Sequence, residues 1–201
     1  MTALRTSVLG CAVLAALLLA PVLSPNVARA EAPMPTLIGS IPIGFDYTHD
    51  QNTQGVDNKP ATGIQVEYIT PWYLGVGIAN YKSGIVKNSV PSLGLSDDLM
   101  MTYNFIELSA NIKWGPVLLA WGYGSGSVSY SPSNNPPGIV KWKNSQAFER
   151  FIRLGLLVTP KWSIHLASHA LYAEAEQEFG GGKHTGDIGA IMTTAGVGYT
   201  F

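Results

Sequence analysis

The last nine residues read TTAGVGYTF, Thr193 to Phe201. Val197, Tyr199 and Phe201 alternate with Gly196, Gly198 and Thr200, the period-two pattern of a strand with one apolar face. Chain ends in soluble domains are commonly frayed and poorly ordered. Here the final side chain is aromatic and belongs to the apolar face. Such a strand needs a partner along its length, because an open edge in hydrocarbon leaves N–H and C=O groups unsatisfied. The expectation is a sheet whose last strand closes onto its first.

The other end of the chain points the same way. Arg5 precedes an apolar run from Val8 to Leu23, and the small-x-small site Ala28-Arg29-Ala30 follows before Glu31. That layout predicts a secretory signal peptide over 1–30, cleaved to leave 31–201 as one domain. The run is short for a bilayer span of about 20 residues and Pro21 interrupts it, which argues against a retained anchor. Cys11, the only cysteine, would leave with the leader, so a disulfide or cysteine-ligated metal is excluded from the mature chain. Ten Lys and Arg against 13 Asp and Glu would remain. No basic stripe is present, so no nucleic-acid partner is expected. No stretch of 31–201 approaches the run of apolar residues that a membrane helix needs.

Eight segments carry strand character: 36–50, 61–70, 72–86, 98–114, 116–131, 147–159, 162–176 and 184–201. Each reaches the roughly 9–11 residues of a tilted membrane strand, whereas soluble strands average about five or six. Three connections are very short: TPW at 70–72, WGP at 114–116 and TPKW at 159–162. The four that alternate with them are longer and polar: QNTQGVDNKP, KNSVPSLGLSDD, SPSNNPPGIVKWKNSQ and QEFGGGK. Strict alternation puts all short turns on one side, as in bacterial outer-membrane barrels. The fold class expected is therefore all-β, an eight-stranded antiparallel up-and-down transmembrane β-barrel.

Parity assigns the faces. Ile41, Ile43, Phe45, Ile64, Val66, Tyr68, Leu74, Val76 and Ile78 fall on one face. Ile106, Leu108, Ile112, Trp121, Ile152, Leu154, Ile164 and Leu166 continue it, facing lipid. Charged residues are 12% of the chain, against about 25% in a typical soluble domain. The opposite face holds Asp46, Gln65, Glu67, Glu107, Asn111, Lys113, Glu149, Arg153, His165 and His169. Eight strands enclose just enough space for side chains. The expectation is a plugged polar lumen in which Lys113 and Arg153 neutralise Glu67, Glu107 and Glu149, with Glu67 beside Gly75 and Glu107 beside Gly124. Trp72, Trp114 and Trp162 at the short turns, with Tyr199 and Phe201, are expected to form a periplasmic aromatic girdle. Tyr47, Tyr123 and Tyr172 are expected in a second, outer girdle.

AGVGYTF at the C-terminus and TPWYLGVGIANY at 70–81 carry a resemblance. Residues 31–201 resemble the small eight-stranded outer-membrane barrels: outer-membrane protein A, proteins X and W, and the opacity-type adhesins. The resemblance implies the cell outer membrane as location and a C-terminal strand read by the barrel insertion machinery. Outer-membrane lipids and lipopolysaccharide are the expected surroundings. Arg150, with lipid-side parity near an outer strand end, is a candidate contact for a lipopolysaccharide phosphate. The loop 131–146, with its VKWK, is the candidate contact for a surface partner.

Catalytic candidates concentrate in WSIHLASHALYAEAE. Ser168 is three from His165 and adjacent to His169, so it faces away from both. No catalytic residue, metal site or cofactor is expected, and the barrel reads as a non-enzyme. The leading expectation is a structural or surface-interacting barrel. The alternatives are a channel for small apolar molecules or ions, which a gap in the wall or an apolar upper lumen would favour, and a lipid A-modifying enzyme.

Overall fold

The computed structural model describes residues 34–48, 57–87, 95–136, 140–179 and 182–201. The expected leader, residues 49–56 and 88–94, and a few positions at 137–139 and 180–181 lie outside the described residues. Nine strands follow in order: β1 (Thr36–Thr48), β2 (Asn58–Ile69), β3 (Leu74–Ile85), β4 (Leu99–Trp114), β5 (Val117–Ser131), β6 (Val140–Lys143), β7 (Ser145–Leu157), β8 (Trp162–Phe179) and β9 (Gly182–Thr200).

Eight of them close into an antiparallel barrel, each pairing with its neighbours in chain order, and β9 returns to β1. That last ladder runs from Thr36↔Thr200 to Thr48↔Gly189. Thr200 N–H donates to Lys161 O at 2.8 Å and Phe201 N–H to Pro35 O at 3.1 Å, so pairing extends to the final residue. β6 is the additional strand. Its strand partner is the upper end of β8, from Val140↔Phe179 to Lys143↔Glu176, directly above β7, and its other side bridges Asn134 through Lys141.

The outside is apolar. Ile78 (64%), Ile106 (67%), Trp121 (68%) and Ile152 (69%) are among the most exposed hydrophobics of the chain, an arrangement that only lipid can satisfy. On β4 this belt runs from Trp114 up to Asn104, where Asn104 Oδ1 accepts from Asn80 Nδ2 at 2.7 Å. Ten residues of tilted strand rise about 25 Å, the height of an outer-membrane apolar band.

The short turns keep the strands in register. Gly115 (φ 58°) starts the Gly-Pro turn between Trp114 and Val117, a left-handed conformation that favours glycine. The turn at Thr70–Leu74 is longer than TPW alone suggested. Tyr73 adopts φ 63°, and Tyr73 N–H donates to Thr70 O at 3.0 Å. The β2–β3 register therefore moves by two residues and the backbone of Glu67 stands opposite Gly77, while its carboxylate lies against Gly75 as expected. Glu107 does pair with Gly124.

Other expectations are corrected. A bulge in β1 between Pro42 and Gly44 inverts the parity of its upper half. Tyr47 is consequently inward and buried, not in the outer girdle, and Phe45 turns toward the core, while Asp46 is exposed rather than in the lumen. QEFGGGK is no loop along most of its length, because β8 continues to Phe179 and β9 begins at Gly182. Within loop 131–146 the VKWK segment is β6, and Trp142 is only 2% exposed.

Candidate functional site

Two layers fill the barrel. The lower one is a polar network built from β2, β4 and β7. Both carboxylate oxygens of Glu67 accept from the Arg153 guanidinium, Nη1 to Oε2 and Nη2 to Oε1 at 3.2 Å. Ser109 Oγ donates to Glu67 Oε1, Asn111 Nδ2 donates to Ser109 Oγ at 2.8 Å, and Arg153 Nη2 also donates to Asn111 Oδ1 at 2.9 Å. Glu67 and Arg153 are 1% and 2% exposed. A bidentate, fully hydrogen-bonded pair is the arrangement in which buried charges are tolerated. Glycines make the room: a Cβ on Gly75 would collide with Glu67 Oε1 and Ser109 Oγ.

A second polar group lies beside it. Glu107, Gly124 and Glu149 are in one register across β4, β5 and β7. A Cβ on Gly124 would stand 2.6 Å from Glu149 Cγ, and one on Gly77 3.0 Å from Glu107 Oε2. Gln65 Nε2 donates to Glu107 Oε2 at 2.6 Å. His169 Nε2 bonds Thr194 Oγ1 at 3.0 Å, and its Nδ1 lies 3.4 Å from Glu149 Oε2. Tyr81 packs its ring on His169 with centroids 6.0 Å apart.

The upper layer is apolar, which the sequence reading did not anticipate. Leu99, Met101, Tyr103 and Phe105 share Glu107's parity on β4 and are buried with Val128, Leu171 and Met192. The signal was present in the alternation of LMMTYNF, but the polar residues below drew the inference of a polar lumen throughout. Trp142 closes the top. Its ring lies 5.2 Å from that of Tyr130, and its Nε1 donates to Asn135 O at 2.9 Å. Asn135 is fully buried and ties the outer loops together: Oδ1 accepts from Ser96 N–H and Oγ, both at 2.9 Å, and Nδ2 donates to Asp97 O at 2.8 Å.

Alongside the apolar layer one ladder of the wall is incomplete, and the place where its hydrogen bonding stops is called the split. The β1–β2 ladder covers only Thr36↔Ile69 to Ser40↔Gln65. Above it, β1 continues to Thr48 paired with β9 alone, and β2 reaches Asn58 paired with β3 alone. One side-chain bond spans the split near its top, Asn58 Nδ2 to Asp46 Oδ1 at 3.0 Å. The cause is local. Pro42 and Pro60 are the only prolines in the nine strands, and they sit on the two strands that flank the split. Proline cannot donate to a ladder and is confined to edges and bulges. Phe45, Tyr47 and Ala61 pack against the apolar layer from these two strands.

Of the residues singled out from sequence, Glu67, Glu107, Glu149, Arg153, His165 and His169 converge inside the barrel. Lys113 does not. It is exposed at the lower mouth, beside a shallow pocket that includes Tyr73 and Asn111, and Arg153 alone supplies the buried guanidinium. The Trp114 end of β4 lies below the lumen, so a long cation there reaches water more readily than the carboxylates. Trp72, Trp114, Trp162 and Phe201 are exposed at the lower rim, with Trp162 and Tyr199 4.9 Å apart and Tyr199 and Phe201 5.3 Å apart. Arg150 is exposed on the outer wall, opposite Tyr123 and Ala170. Tyr123 and Tyr172 are also exposed there.

Ser168 is exposed, on the face opposite to His165 and His169. Sequence reasoning overlooked Ser163, whose hydroxyl meets His165 Nε2 at 2.7 Å. The i, i+2 spacing on a strand could have revealed it. His165 Nδ1 has no hydrogen-bond partner among the described residues, whereas a nucleophile–base relay orients its base by a third group.

No family model and no curated protein matches the chain. Solved structures do. Outer membrane protein AlkL, determined in lipid bilayers, superposes with TM-score 0.54 at 11% identity, over 89% of this chain and 95% of that one. OprG from Pseudomonas aeruginosa gives 0.51 at 12%, over 85% and 97%. The Neisserial surface protein A gives 0.55 at 12%, over 84% and 97%. In fold, the chain is a closed eight-stranded antiparallel β-barrel like those of these small outer-membrane proteins.

Proposed function

We propose that the protein resides in the outer membrane and takes small apolar molecules into the outer half of its lumen through the split between β1 and β2. The observation that carries this reading is the end of the β1–β2 ladder at Ser40↔Gln65, next to a lumen layer of Tyr, Met, Phe and Leu side chains. Unpaired strand edges at membrane depth are tolerated where they line a cavity or a path. The Glu67–Arg153 network below and the Trp142–Asn135 cap above support a barrel without a continuous aqueous pore.

The reading is non-enzymatic. The incomplete Ser163–His165 pair and the outward Ser168 support it. A lipid A deacylase would release fatty acid from lipid A, which mass spectrometry of the incubated lipid detects.

Two measurements test the transport reading together. Planar-bilayer recording is expected to show no sustained ion conductance. Vesicles carrying the barrel are expected to take up an apolar fluorophore faster than empty vesicles. Pro42→Val with Pro60→Val, which restores two backbone donors on the strands that flank the opening, is expected to reduce that gain. Steady conductance with unchanged uptake would replace the proposal with a simple ion pore.

A further inference from the structure

Directly below the end of the β1–β2 ladder lies a group of buried polar atoms with open hydrogen-bonding capacity. Gln65 is the last β2 residue paired to β1, and its side chain is 1% exposed. Its Oε1 has no hydrogen-bond partner, and neither do Glu107 Oε1 or either oxygen of Glu149. Glu107 and Glu149 are fully buried. The Tyr81 hydroxyl, equally buried, is unpartnered as well. The guanidinium that could have served them is engaged by Glu67 and Asn111. His169 engages Thr194 through Nε2, and its Nδ1 stands 3.4 Å from Glu149 Oε2, longer than a well-formed hydrogen bond. Two buried carboxyl groups side by side, with one imidazole and one phenol beside them and no lysine or arginine of their own, can take a further donor that carries positive charge.

The group is contiguous with the path proposed above. Gln65 forms the sill of the split, Tyr81 stands opposite Gly63 on its β2 side, and Phe45, Tyr47 and Ala61 line the apolar approach. We propose that this is a headgroup site, and that the molecule the barrel admits is apolar with a protonated amine at one end. The ammonium donates to Glu107, Glu149 and Gln65, and the apolar body lies along Phe45, Tyr47 and Ala61 in the split. The assignment rests on the β1–β2 opening being the entrance.

The test uses the full barrel in lipid nanodiscs, titrated with fluorine-labelled dodecylamine and dodecanol and followed by NMR. The amine is expected to bind saturably and about ten-fold more tightly than the alcohol, the scale of a charge-assisted hydrogen bond. Glu107→Gln with Glu149→Gln is expected to abolish the preference while alcohol binding persists. Heat-modifiable migration on gels verifies that the variant is folded. The wild-type comparison needs no variant at all. Equal binding of the two probes, or a preference that survives the double substitution, overturns the headgroup assignment and leaves the entrance standing. If neither probe binds the wild-type barrel, entrance and headgroup site both fall.

Discussion

Pro42 and Pro60 lie on the two neighbouring strands beyond Ser40↔Gln65, where the β1–β2 ladder ends, Pro42 at the β1–β9 bulge and Pro60 within the β2–β3 register shift between Lys59 and Thr62. Each removes a backbone donor on a strand whose pairing toward the other has stopped. Restoring the donors is therefore expected to extend the ladder. Pro42→Val with Pro60→Val should slow amide exchange across residues 41–46 and 61–64 and raise the urea midpoint in vesicles, by about 1 kcal/mol per recovered bond. Entry of an apolar fluorophore should fall in parallel. Unchanged exchange would show that the prolines do not hold the split open.

Breaking the lower network from one side should be costly. Arg153→Ala leaves Glu67 buried with its charge uncompensated, and a loss of about 3–5 kcal/mol is expected in urea unfolding. Arg153→Met combined with Glu67→Leu removes both charges and should recover most of it. A double variant as unstable as the single one would contradict the pairing.

Glycines inside and outside the wall should respond differently. Gly75→Ala and Gly124→Ala press against Glu67 and Glu149, whereas a Cβ at Gly39 meets nothing within 4 Å. The first two are expected to destabilise by about 1–3 kcal/mol, and Gly39→Ala to be neutral or slightly stabilising. The unfolding midpoints of the three variants check this ordering.

At the outer rim Asp98 bonds Lys59 at 2.8 Å and accepts from Lys87 N–H at 3.0 Å. The Lys59 bond, followed by the Lys87 amide, holds its carboxyl below the usual carboxylate value. Any contribution of Asp98 to loop anchoring is present above the unfolded carboxylate value and is lost as pH falls through the folded one. A carbon-13 NMR titration of Asp98 should show the lowered midpoint, and Lys59→Met should move it upward.

The cap makes a separate demand. Trp142→Ala opens the top of the apolar layer and removes the bond to Asn135, for an expected loss of about 3–5 kcal/mol. Protease added outside should then cleave within 131–146 at lower concentration than in the wild type.

The barrel itself was legible residue by residue. Alternation from Ile106 to Ile112 and from Ile152 to Val158 assigned the lipid face, and the run VGYTF ending at Phe201 announced a closing strand. Glu107 beside Gly124 followed from a short turn whose length leaves one register. Where local geometry was irregular, parity failed. Tyr73 lengthened its turn by a left-handed residue and moved the backbone partner of Glu67 from Gly75 to Gly77, though its carboxylate still reaches Gly75. The Pro42–Gly44 bulge turned Tyr47 inward and Asp46 outward.

By itself, then, the sequence determined a closed, lipid-facing barrel with carboxylates and one buried arginine inside, because a period of two and the cost of unpaired backbone in hydrocarbon are properties of the chain alone. Only the tertiary structure decided which acceptors lack donors, where the β1–β2 ladder stops, and that Trp142 folds back over the lumen. Those depend on register between strands far apart in sequence. A single bulge or a two-residue shift changes every contact above it while leaving the pattern of each strand intact.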